Sequence, residues 1–130
     1  MMISEEKNKR VSLLVVDDSL IMRKAILKYL EDYNIEVVGT ANNGEKALEL
    51  FKKYNPKVVT LDITMPGIDG LYVLKEMVKI DRSSKIIVIT ALSDKETGLK
   101  SIKLGATSYI SKPFSRSTLK QTFERVIKTI

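Results

Sequence analysis

Residues 57–62 read Lys57-Val58-Val59-Thr60-Leu61-Asp62, and the fold turns on them. The apolar part is short, continuous and rich in β-branched side chains, as a strand buried on both faces requires. It stops at an acid. Three other runs behave alike: Val-Ser-Leu-Leu-Val-Val (11–16) stops at Asp17-Asp18, Lys-Ile-Ile-Val-Ile (85–89) at Thr90, and Ser-Tyr-Ile-Ser (108–111) at Lys112. As parallel strands of one sheet, the four bring their C-terminal ends side by side. Three carboxylates, a hydroxyl and an ammonium then converge on one pocket, at the edge where open parallel sheets carry their ligand sites.

Outward from these runs the pattern alternates. Strands are expected at 11–16, 36–39, 57–61, 85–89 and 108–110, and helices at 19–32, 44–54, 69–80, 94–104 and 115–130. Ile21, Ala25, Ile26, Tyr29 and Leu30 recur at helical spacing behind Ser19, a suitable N-cap. Asn55-Pro56 ends the second helix, and Gly105 caps the fourth. Strict β-α alternation predicts a doubly wound, five-stranded parallel sheet of flavodoxin-like (β/α)5 type in a single domain over residues 11–130. Residues 1–10 are polar and read as a flexible tail. Pro66-Gly67 and Asp69-Gly70 read as a turn leading into the third helix, with Met65 in packing. Gly98 falls inside the fourth helix, where simple tolerance at an exposed site and a role in mobility are equally plausible readings. Leu99 and Ile102, on the same segment, are core or partner contacts, with core the default for such spacing.

The chain of 130 residues contains no cysteine and no histidine, which excludes thiol redox chemistry and the commonest general base and metal ligand. A metal must therefore sit on oxygen ligands, which points to a hard cation such as Mg²⁺. No stretch reaches membrane-spanning length and the N-terminus lacks a signal-peptide pattern, so a cytoplasmic protein without membrane insertion is expected. The net charge of +6 lies entirely in residues 95–130, which carry eight basic side chains against Glu96 and Glu124. That excess suits an acidic partner better than nucleic acid, since no recognition helix or zinc-finger signature accompanies it.

Three carboxylates at one sheet edge repel one another unless a cation compensates. Mg²⁺ takes one or two carboxylates plus waters and phosphate oxygens. With Lys112 and Thr90 nearby, the set suits a tetrahedral anion and phosphoryl transfer, with one aspartate as nucleophile. The sequence leaves the Lys112-Pro113 isomer open.

The segments Val-Val-Asp-Asp-Ser, Leu-Asp-Ile-Thr-Met-Pro-Gly-Ile-Asp-Gly, Ile-Thr-Ala and Ser-Lys-Pro-Phe, in that order, closely resemble the receiver domain of bacterial response regulators. The resemblance is strongest to the stand-alone, CheY-like chemotaxis type. It implies that Asp62 is the phosphoacceptor. It implies that Asp18, Asp62 and the Thr64 carbonyl ligate Mg²⁺, with Asp17 acting through water. Lys112 would pair with the phosphoryl group, Thr90 would bond one of its oxygens, and the Ala91 amide would join the cradle. Thr90 and Tyr109 would form a switch that reshapes the surface of the fourth helix, fifth strand and fifth helix. Lys95, Ile102, Tyr109, Phe114 and Arg125 are the expected partner contacts. Thr64 and Leu92 occupy positions that tune phosphoryl lifetime in the family.

The resemblance further implies a chemotaxis-type histidine kinase as donor, a phosphatase, and a downstream target such as a flagellar motor switch protein. The protein would be a monomer, and no enzyme beyond catalysing its own phosphorylation and dephosphorylation. A phosphorelay intermediate or a regulator of a kinase is the alternative within the family. A haloacid-dehalogenase-type phosphatase would need an acid where Thr64 stands. A flavodoxin-like cofactor binder would not open its phosphate loop with two aspartates. An adaptor acting without phosphorylation leaves the acidic and cationic set unused.

Overall fold

The computed structural model describes residues 10–67, 69–91 and 94–130. The expected tail at residues 1–9 and Leu92 lie outside the described residues. In chain order the elements are β1 (Val11–Val16), α1 (Leu20–Tyr29), β2 (Ile35–Ala41), α2 (Gly44–Tyr54), β3 (Val58–Asp62), α3 (Gly70–Ile80), β4 (Lys85–Ala91), α4 (Lys95–Lys103), β5 (Ser108–Lys112) and α5 (Arg116–Ile127). The strands form one parallel sheet in the order β2-β1-β3-β4-β5. The expected doubly wound α/β architecture is the observed one.

The order reverses between β1 and β3, and that switch point sits at the C-terminal edge where Asp17 and Asp62 end up. Strand side chains alternate between faces, which divides the core into two layers. Leu14, Val16, Val59, Leu61, Ile86 and Val88 pack against Phe51, Val73, Leu74 and Met77 on the side of α2 and α3. Leu13, Val15, Val58, Ile87 and Ile89 pack against Ile26, Leu30, Leu119, Phe123 and Val126 of α1 and α5.

Helix starts follow the capping logic. Ser19, Asn43, Asp69, Asp94 and Ser115 each accept a backbone N–H with the side chain. Those expected first residues are thus caps, one position outside the helix, except at α2, which begins as expected at residue 44. Asn55 ends α2 in the left-handed conformation, with φ 45°. Gly105 follows Leu104 with φ +115°, which favours glycine.

Three sequence expectations are corrected. Ile21 is 82% exposed, although its spacing placed it with the buried face of α1. Leu99 and Ile102 are also exposed, which goes against the default core reading and leaves the partner-contact alternative. Gly98 is buried, because the ring of Tyr109 lies directly over it.

Candidate functional site

β3 starts and ends one residue later than expected, so Asp62 is its last residue and is held by the sheet itself. β5 likewise extends to Lys112, and β4 extends through Thr90 to Ala91. Asp17 follows β1 directly, and its N–H donates to the Ala41 carbonyl (3.0 Å). Alternation then puts Asp17, Asp62 and Lys112 on the α1/α5 face of the sheet, and Thr90 on the other.

Carboxylate oxygens of Asp17, Asp18 and Asp62 lie within 4.8 Å of one another. Lys112 Nζ stands between two of them, 3.0 Å from Asp17 Oδ2 and 3.1 Å from Asp62 Oδ2. Asp17 and Asp62 are buried, whereas Asp18 is exposed at the rim. Asp17 Oδ1 accepts the Ser19 N–H (2.9 Å). Asp62 Oδ1 accepts both the N–H (2.9 Å) and the hydroxyl (2.6 Å) of Thr64, which fixes the rotation of the carboxylate.

Burial raises the Asp17 carboxyl above its ordinary pKa, outweighing the hydrogen bonds from Ser19 and Lys112, and the charge of Asp62 adds to the rise. For Lys112, burial opposes the charge, but the hydrogen bond to Asp17 and the charge of Asp62 outweigh it and raise its pKa. Burial leads the shift of Asp17 and the two carboxylates carry that of Lys112 against burial, while a single ammonium faces more negative charge than it can balance.

That imbalance, together with an all-oxygen donor set, fits a divalent hard cation. Mg²⁺ placed among these three carboxylates would complete the charge and leave positions open for phosphate oxygens. The Thr64 carbonyl belongs to the residue whose amide and hydroxyl are already turned onto Asp62.

Thr90 is fully buried and its Oγ1 has no hydrogen-bond partner among the described residues. Ala91 is half-buried at the end of β4. Two residues before Thr90 on the same face, Val88 pairs with Tyr109 across the β4–β5 ladder. Tyr109 is half-buried against the α2/α3 layer, with its ring over Gly98 of α4. A Cβ at residue 98 would fall 2.4 Å from Tyr109 Cε2 and 2.5 Å from Cδ2. The glycine thus meets a close approach of the ring, and tolerance at an exposed site does not account for it.

Lys95 and Arg125 are exposed, and Ile102 is 40% exposed. Phe114 is drawn inward instead, edge-on to Tyr29 with centroids 6.4 Å apart in the α1/α5 layer. Arg116 (3.3 Å) and Lys120 (2.8 Å) pair with Asp32, so part of the basic excess on α5 is internally matched. The Lys112-Pro113 bond is cis. Gly98 stands out in the sequence, but nothing there points to its contact with Tyr109. Arg23, whose Nη1 donates to the Asp17 carbonyl (2.6 Å), escaped the sequence reading altogether. A cation in the first turn of a helix, against the macrodipole, was the one available signal for it. No helix among the described residues is long and apolar enough to cross a membrane.

Residues 13–124 match the response regulator receiver domain. The chemotaxis protein CheY of Thermotoga maritima is 40% identical over 120 residues, covering 92% of this chain and 98% of that protein. CheY of Bacillus subtilis is 38% identical, covering 91% and 96% respectively. Among solved structures, the CheX-CheY-BeF3-Mg+2 complex from Borrelia burgdorferi aligns with a TM-score of 0.83 at 31% identity, covering 89% of this chain and 88% of that one. The receiver domain of AraT from Geobacillus stearothermophilus aligns with a TM-score of 0.84 at 30% identity, covering 91% and 93%.

Proposed function

The chain belongs to the response regulator receiver domain family, and from that premise we propose that it takes a phosphoryl group from a chemotaxis-type histidine kinase onto Asp62 and signals by a change at its α4–β5–α5 surface. The observation that carries this reading is the shared ammonium: Lys112 sits between Asp17 and Asp62, beside Asp18. A cluster short of positive charge, with a carboxylate fixed by Thr64, is poised to receive a charged group together with a cation.

In this reading a carboxylate oxygen of Asp62 attacks the phosphorus of a phosphohistidine. The O–P bond forms as the N–P bond breaks, and the imidazole nitrogen takes up a proton. Mg²⁺, when bound by Asp17, Asp18, Asp62 and the Thr64 carbonyl, would neutralise charge on the transferring group. Lys112 exchanges its contact with Asp62 for one with a phosphoryl oxygen. Thr90, whose buried hydroxyl lacks a partner among the described residues, gains an acceptor there, and the Ala91 amide gains another. Movement of Thr90 biases the packing of Tyr109, a population shift between two arrangements. Hydrolysis of the acyl phosphate resets the site, and the protein catalyses no other reaction.

The relatives named chemotaxis protein CheY, and the Borrelia burgdorferi complex that pairs CheX with CheY, support a cytoplasmic chemotaxis role. The complex pairing CheX with CheY supports a CheX-type partner, to which this reading gives the phosphatase role; a flagellar motor switch protein is the proposed output. The exposed lysines of α4, Lys95, Lys100 and Lys103, favour an acidic target. The test is phosphotransfer from a labelled chemotaxis-type histidine kinase. Label should pass to the wild-type protein in the presence of Mg²⁺ and not to Asp62→Asn. Label passing onward to a histidine protein instead would make it a relay intermediate, and label remaining on the kinase would remove the reading.

A further inference from the structure

The loop between β1 and α1 carries two of the three clustered carboxylates, and besides the Lys112–Asp17 pair and the Ser19 cap, three hydrogen bonds tie Asp17 to its surroundings. Asp17 N–H donates to Ala41 O, Ser19 N–H donates to Asp17 Oδ1, and Arg23 Nη1 donates to Asp17 O. The first two ties use only the main chain and Asp17 itself. The third is made by a half-buried side chain from α1, at 2.6 Å.

The carbonyl that Arg23 holds belongs to the peptide joining Asp17 to Asp18. Asp18 differs from its neighbours in having nothing else to aim it. Its side chain is exposed and makes no hydrogen bond or ion pair among the described residues, whereas Asp17 and Asp62 are each held by hydrogen bonds and Lys112. The direction in which the Asp18 carboxylate leaves the backbone therefore depends on how its peptide is oriented. Arg23 also stands in the first turn of α1, which has no acidic residue, where a cation works against the helix dipole. Its location is unfavourable for the helix and useful for the loop.

We propose that Arg23 is a positioning residue for cation binding: by fixing the Asp17–Asp18 peptide it aims the Asp18 carboxylate into the acidic cluster. The inference rests on the reading that this cluster binds Mg²⁺. It predicts a sign opposite to that of simple electrostatics. Removing a positive charge near an acidic site should tighten Mg²⁺ binding, whereas losing the loop's tie should weaken it, as loss of an outer hydrogen-bond partner does at metal sites.

The experiment is calorimetric titration of the unphosphorylated protein with Mg²⁺, for wild type, Arg23→Met, Arg23→Lys, Asp18→Asn and the Arg23→Met/Asp18→Asn pair. Arg23→Met should raise the Kd about tenfold, and Arg23→Lys, which keeps a donor, should recover much of the loss. Arg23→Met should add little in the Asp18→Asn background, because it acts through that carboxylate. If Arg23→Met does not fold, the comparison of Arg23→Lys and Arg23→Gln with wild type carries the test, each expected to bind more weakly than wild type. A Kd unchanged or lowered in the variants, even with a reduced Tm, overturns the inference and leaves Arg23 as a structural tie. Absence of saturable Mg²⁺ binding in the wild type would bring down the cation site and the inference together.

Discussion

Substituting Gly98 with alanine puts a methyl carbon 2.4 Å from Tyr109 Cε2 and 2.9 Å from Cζ, where ordinary van der Waals contact begins near 3.4 Å. Two opposing effects then decide the sign. Alanine in place of glycine inside a helix stabilises by about 1 kcal/mol. Overpacking a buried contact costs about 1–3 kcal/mol. The ring can escape only by leaving its place against the α2/α3 layer, which gives up burial worth about 1–2 kcal/mol for an aromatic that is half-buried to begin with. Gly98→Ala should therefore destabilise the wild type by about 1 kcal/mol. In a Tyr109→Ala background, with the ring gone, the same change should stabilise by about 1 kcal/mol. The assay is urea unfolding of the four proteins of this double-mutant cycle, followed by circular dichroism. The expected coupling energy is about 2 kcal/mol. Additivity within about 0.5 kcal/mol, or a stabilised single variant, would refute the claim that Gly98 exists to admit the ring.

Other outcomes follow from single groups. Thr60 is fully buried in β3 with a hydroxyl unpartnered among the described residues, so Thr60→Val should stabilise by about 1 kcal/mol, measured by the same unfolding; a loss of stability would mean that the hydroxyl has a partner. Tyr33 donates to Glu124, and burial together with that carboxylate raises its phenol above the ordinary 10.0. Its contribution is therefore fully present below pH 10 and lost as pH rises through the higher folded value. Tyr33→Phe should flatten the alkaline fall in Tm, and an unaltered profile would contradict the assignment. Lys112→Met leaves two buried carboxylates without their ammonium. It should destabilise by roughly 3 kcal/mol without Mg²⁺ and by clearly less with it, whereas a loss indifferent to Mg²⁺ would count against a shared cation site.

Asp17, Asp62, Thr90 and Lys112 were legible in the sequence because each closes an apolar run, and a parallel sheet aligns such closures at one edge. Strand ends were read one or two residues short at β3, β4 and β5, since a polar residue that ends hydrophobicity does not end the hydrogen-bond ladder. Ile21, Leu99 and Ile102 show the limit of periodicity, which identifies a helical face but not how far the sheet beneath it extends. Gly98 could not be read because its reason lies across the fold, in a ring on β5. Arg23 offered only its unfavourable place in the first turn of α1 as a signal, because its partner is a main-chain oxygen, which leaves no mark in side-chain patterns.

The central claim is that Asp62 is a Mg²⁺-dependent phosphoacceptor. Intact-mass measurement after incubation with acetyl phosphate tests it most directly, with and without Mg²⁺ and beside Asp62→Asn. The account predicts one phosphoryl adduct that needs Mg²⁺ and is missing from the variant. An adduct that persists in Asp62→Asn, or none in the wild type under conditions that modify a known receiver when sampled within the adduct's lifetime, would contradict it.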